Sequence, residues 1–77
     1  MNLQPVSSSN IESAGYDEKD QIMEVSFLNG GTYRYTNVPP HVWQEFLNAN
    51  TPGEYFYHHI RTSYPYYQIG GGKPGKK

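Results

Sequence analysis

The sequence predicts a small α+β domain: a three-stranded antiparallel β-meander followed by two α-helices packed on one face of the sheet. Three observations predict it. Met23, Val25 and Phe27 alternate with Glu24 and Ser26, the period of two expected of a strand with one buried face. Asn29-Gly30-Gly31 interrupts the alternation, which resumes at Thr32, the pattern of a hairpin. After Val38-Pro39-Pro40 the apolar residues change to helical spacing.

The elements follow in order. Ser7-Ser8-Ser9 closes an irregular N-terminal segment, and a first strand is expected over residues 10–16. Asp17-Glu18-Lys19-Asp20 is a polar turn, and the second strand runs from Met23 to Phe27. The hairpin glycines are expected at positive φ, which costs glycine nothing. The return strand, residues 32–38, places Tyr33 and Tyr35 on one face and Thr32, Arg34 and Thr36 on the other.

The two prolines suit a first helical turn. Val42, Phe46 and Ala49 then share a side, widened by Trp43 and Leu47. Thr51-Pro52-Gly53-Glu54 has the form of a capping box opening a second helix. That helix should end by about Ser63, because Pro65 disfavours helical geometry at Tyr64. The folded domain is expected over residues 1–69, and GGGKPGKK, residues 70–77, has nothing to bury and reads as a flexible basic tail.

At 77 residues without cysteine, the chain forms one domain with no disulfide and no Cys-based metal or redox site. A domain of this size buries only about 60% of its unfolded surface, so self-association is a route to a larger core. The N-terminus lacks the layout of a signal peptide and no apolar run is long enough to cross a bilayer. The expected setting is the cytoplasm. Residues 1–72 carry three Lys/Arg against seven Asp/Glu, a formal −4, and three of the six basic residues fall in the last five positions. Proteins that grip long nucleic acids do so with many Lys and Arg on phosphates. Any anionic ligand should therefore be small, or held at very few phosphates.

Residues 54–67, EYFYHHIRTSYPYY, concentrate the candidate chemistry. At helical spacing Phe56 and Ile60 form a core stripe with Ser63, and His59 lies at its edge. Tyr57, Arg61 and Tyr64 form a second stripe bordering it. A guanidinium between phenols can stack a base and pair a phosphate. Such a stack also serves stability alone, but eight tyrosines exceed what so small a core hides. Tyr33, Arg34, Tyr35 and Tyr66 complete the candidate ligand-binding set. His58 and His59 point about 100° apart on a helix and cannot share a metal ion or flank one phosphate. No metal, cofactor or catalytic residue is expected. Asp17–Asp20 lacks calcium-loop spacing, and Ser7–Ser9 read as loop hydrogen bonding.

Several of these landmarks occur together in a known family. Ser8-Ser9, Gly15-Tyr16-Asp17, Val25-Ser26-Phe27 with Gly30, and Tyr33-Arg34-Tyr35 resemble the KTSC domain. Val38-Pro39-Pro40 and Gly53-Glu54-Tyr55-Phe56, with Ile60-Arg61 and Tyr64, extend the resemblance to residues 6–67. That family occurs at the C-terminus of some lysyl-tRNA synthetases and as free-standing bacterial and phage proteins. The resemblance implies RNA binding and carries no catalytic residue. Its motif positions here are Tyr33, Tyr35, Phe56, Ile60, Arg61 and Tyr64.

The expected function is a non-enzymatic binding module for a nucleotide-type ligand, either a short RNA element or a small nucleotide. A phage protein sequestering a signalling nucleotide is one form of it. Its rivals are a protein-interaction or homo-oligomeric assembly module using the tyrosine-rich rim, and a small nuclease.

Overall fold

The computed structural model describes residues 3–28 and 30–70. Of the expected tail, residues 70–77, Gly70 is instead the last residue of a strand and the rest lies outside the described residues, as does Asn29 of the hairpin. A five-stranded antiparallel sheet with strictly sequential order is formed by β1 (Gln4–Pro5), β2 (Ile11–Asp17), β3 (Ile22–Phe27), β4 (Thr32–Tyr35) and β5 (Tyr66–Gly70). Between β4 and β5 lie α1 (Pro40–Asn48) and α2 (Pro52–Tyr55), the latter continuing directly into a π-helical turn, Phe56–Ile60. The α+β class holds, and the strand count is corrected from three to five. Both added strands are edges. β1 is two residues long and includes a proline, and the large side chains of β5 are exposed on both faces, so neither alternates in polarity.

The β2–β3 connection is built by Asp17. Its Oδ1 accepts the backbone N–H groups of Lys19 and Asp20 at 3.0 and 3.3 Å, which turns the chain before Gln21, at φ 56°, feeds β3. The hairpin glycine Gly31 is needed for a different reason than expected. It does not adopt positive φ; a Cβ there would run into the Gly70 carbonyl and the Gln68 amide of β5. The absent side chain lets the end of β5 close onto the β3–β4 turn.

Alternation sorts the sheet faces. Met23 pairs with Tyr35 and Val25 with Tyr33, while Glu24 pairs with Arg34 on the opposite side. The first set joins Ala14 from β2 and meets the helices, with Val42, Phe46, Phe56 and Ile60 buried in the same cluster. Trp43 extends this layer by stacking on Tyr16, ring centroids 5.5 Å apart, and on Phe46 at 5.6 Å. The Tyr16 hydroxyl donates to the Val38 carbonyl at 2.6 Å, tying β2 to the chain entering α1. Leu47, expected to widen the apolar arc, remains 38% exposed at its far side.

Two expectations for the second helix are corrected. Thr51 makes no side-chain cap to the backbone; its hydroxyl instead reaches Glu54 Oε1 at 3.4 Å. The helix also ends at Ile60, not Ser63, because its last turn widens: the Arg61 N–H bonds to the Phe56 carbonyl, five residues back, at 2.9 Å. Single π turns of this kind are uncommon and recur at functional sites. No helix among the described residues is long and apolar enough to cross a membrane.

Gly53 fixes how closely α2 approaches the N-terminal segment. The Ser8 hydroxyl accepts the Asn10 and Ile11 N–H groups at 3.1 and 3.3 Å, and a Cβ on Gly53 would lie 2.5 Å from that same oxygen. Gly53→Ala must therefore displace Ser8 and break its turn. We expect a loss of about 1–2 kcal/mol in urea denaturation, despite the better helix propensity of alanine. Combining it with Ser8→Ala should cost less than the two single losses added together.

Candidate functional site

The Ser8 turn, the second helix and the β4–β5 end of the sheet enclose an open cleft of about 1350 Å³. Its floor is aromatic because the hydrophobic alternation of β3 and β4 and the core stripe of the helix meet there. Phe56 stands edge-on to Phe27 at 5.5 Å and to Tyr35 at 5.2 Å, all three rings on the helix-covered face. Tyr35 is 3% exposed, and Tyr33 is half-buried with its ring edge-on to Phe27.

The walls hold the exposed groups. Tyr57, in the π turn, is 56% exposed, and the Arg61 guanidinium carbon lies 4.8 Å from its ring centroid. These two residues, four apart, lie on the exposed side of the turn while Phe56 and Ile60 stay buried. Across the cleft Tyr66, from β5, is 57% exposed, with its centroid 5.3 Å from Tyr35 and 5.9 Å from Tyr33. Tyr64 is half-buried against the core at the cleft edge. Six of the seven sequence-predicted site residues thus line one space. The seventh, Arg34, does not join them. It lies on the other sheet face, where its Nε donates to Glu24 Oε1 at 3.0 Å beside Tyr67 of β5.

Sequence reasoning missed the contribution of Ser7, Ser9, Asn10 and His58, which also line the cleft. The loop hydrogen bonding expected of the serines is present at Ser8, but nothing local in the chain shows that this loop faces the second helix. His58 is edge-on to Tyr57 at 5.6 Å, and His59 turns away to lie 4.6 Å from Tyr55. Among the described residues no three His, Cys, Asp or Glu side chains come close enough to hold a metal ion.

Electrostatically the cleft is nearly balanced. Arg61 is the only Lys or Arg among its described lining residues, and Glu54 opposes it. Burial pushes the Tyr35 hydroxyl up to about 12; Tyr66 adds to this and Arg61 pulls against it. Outside the cleft, Tyr55 donates to Glu45 Oε1 at 2.5 Å, joining the two helices; burial first, and then this bond, push it to about 12. Chemically, the cleft offers ring faces, hydroxyls and a single guanidinium.

Comparison with known proteins places this arrangement. A profile of the KTSC domain matches residues 7–64. A protein of Tsukamurella paurometabola is 47% identical over 53 residues, covering 69% of this chain and 79% of the relative. The lysine–tRNA ligase of Nostoc punctiforme is 31% identical over 59 residues, which are 77% of this chain but only 10% of the ligase. The crystal structure of a KTSC domain protein from Yersinia pestis superposes with a TM-score of 0.87 at 39% identity, covering 90% of this chain and 97% of that one. With a match of this extent, the chain belongs to the KTSC domain family.

Proposed function

We propose that the protein is a non-enzymatic binding module whose cleft takes a nucleotide-type ligand. One observation carries the reading: the Arg61 guanidinium lies against an exposed Tyr57 ring inside an open, aromatic-floored cleft. A stack of that kind presents a flat cation beside a ring face, which suits a base and its phosphate. The occurrence of similar sequence within lysine–tRNA ligases supports an RNA ligand. The same cleft suits a small nucleotide, and sequestration of a signalling nucleotide by a phage-borne copy is the small-ligand form of this reading. A cytoplasmic setting accompanies either form.

The test is fluorescence anisotropy with short labelled single-stranded RNA, and thermal shift with mononucleotides and cyclic nucleotides, each repeated across salt concentrations. Arg61→Ala should weaken binding about tenfold or more, since a charge-assisted hydrogen bond is lost. The salt dependence should be shallow, corresponding to about one phosphate. Equal binding by Arg61→Ala would count against the cleft.

A second reading rests on β5. This edge strand exposes Tyr66, Tyr67 and Ile69, so a protein or a second copy of the chain has an apolar edge to meet. A concentration-dependent mass with no nucleotide binding would favour it. Turnover of any nucleic-acid substrate would favour a nuclease instead.

A further inference from the structure

Two exposed rings share the cleft with Arg61, its one Lys or Arg among the described residues, and they come from different elements. Tyr57 belongs to the π turn and Tyr66 to the edge strand, and more than half of each is open to solvent, at 56% and 57%. Tyr57 has Arg61 against it at 4.8 Å. Tyr66 leans on the Tyr35 ring at 5.3 Å, and Tyr35 lines the cleft floor. Tyr57, Arg61 and Tyr66 all line the one cleft. Both residues are more than half exposed, so each ring is open to a separate partner.

Charge and size narrow the ligand further. With Arg61 as the one Lys or Arg of the described lining and Glu54 beside it in the same lining, there is a guanidinium for one phosphate and no more. A nucleoside triphosphate would bring several negative charges to one guanidinium. The volume of about 1350 Å³ exceeds the ~300–1,000 Å³ common for small-molecule pockets. The space is large for one nucleoside and the charge is small for a polyphosphate.

We infer that the cleft recognises a dinucleotide step, two bases joined by one phosphodiester, with one base on Tyr57, the other on Tyr66, and the phosphate at Arg61. This deepens the nucleotide reading above and rests on it. The step can belong to a free dinucleotide or to a single strand, since both present the same base–phosphate–base chemistry.

Calorimetric titration of the full chain tests this with dinucleoside monophosphates (ApA and UpU), the mononucleotides AMP and UMP, and the triphosphates ATP and UTP in one buffer. The dinucleoside monophosphates should bind about tenfold or more tighter than the mononucleotides, because a second stacked base adds its own contribution. The triphosphates should bind no tighter than the mononucleotides. Tyr57→Ala and Tyr66→Ala should each bring the affinity for ApA down to that for AMP. Tyr57→Phe and Tyr66→Phe should retain it, since stacking uses the ring and not the hydroxyl; this separates lost stacking from lost folding. A longer single strand that binds tighter than ApA assigns the step to RNA, and equal affinity assigns it to a free dinucleotide. Triphosphates outcompeting ApA, or alanine variants that fold and still bind ApA fully, would overturn the two-base inference while the nucleotide reading stood. If none of the six compounds binds, both fall.

Discussion

Phe56→Ala is expected to lower stability by about 3–5 kcal/mol, whereas Tyr57→Ala, one residue along the same turn, is expected to change it by no more than about 0.5 kcal/mol. Phe56 is 2% exposed and packs edge-on between Phe27 and Tyr35, so it joins the second helix to two strands at once. Removing such a ring typically costs about 3–5 kcal/mol, the sum of lost burial and the cavity left behind. At roughly 0.05–0.15 kcal/mol per residue, a chain of 77 has a total margin of about 4–11 kcal/mol. The loss is therefore a large part of the whole. Urea denaturation of the two variants checks it, and near-equal midpoints would contradict the division between buried and rim residues on this helix.

Raising the pH should weaken the fold between about pH 10 and pH 12. A free tyrosine titrates near 10, but burial holds Tyr35 up to about 12 in the folded chain, with Tyr66 adding to the rise and Arg61 opposing it. The raised value means the folded state keeps its proton where the unfolded state has already lost it. The stability this represents is complete below pH 10 and disappears as pH rises through about 12. For Tyr35 its size is on the order of 2 kcal/mol. Tyr55, held up first by burial and then by its bond to Glu45, contributes in the same direction. Unfolding free energies measured from pH 9 to 12 should fall steeply for the native chain and less steeply for Tyr35→Phe, which has no proton to lose. Identical slopes would show that the Tyr35 hydroxyl is not buried as described.

Part of the site was legible because its residues lie close together in the chain. Tyr57 and Arg61 are four apart on one helix, and their contact follows from local geometry whether the turn is α or π. Alternation puts the two tyrosines of β4 on one face together, and the pairing of Met23 with Tyr35 in the structure makes that face the helix-covered one. Arg34 shows the limit of the same rule. Its place one residue out of phase with Tyr33 and Tyr35 sends it to the far side of the sheet, where Glu24 pairs with it. Being near the motif in sequence did not bring it near the cleft.

The edges were not legible. Tyr66-Tyr67-Gln68-Ile69-Gly70 contains no polarity alternation, since β5 is paired along one side only and little of it is covered from above or below. What recruits it is the free edge of β4, and what lets it close is the bare backbone at Gly31, a long-range fit that no local pattern encodes. The Ser8 turn is likewise a local hydrogen-bonded motif whose position against Gly53 is a tertiary matter.

The order of the three central strands and two helices, the sorting of β3 and β4 residues into two faces, and the family were set by the sequence read by itself, because alternation, helical spacing and proline placement act over a few residues at a time. The tertiary structure alone decided that two edge strands complete the sheet, that the last helical turn is widened, and that a serine loop, a helix and an edge strand share one cleft. Those outcomes depend on contacts between segments tens of residues apart, where packing space and unpaired backbone groups choose the partner.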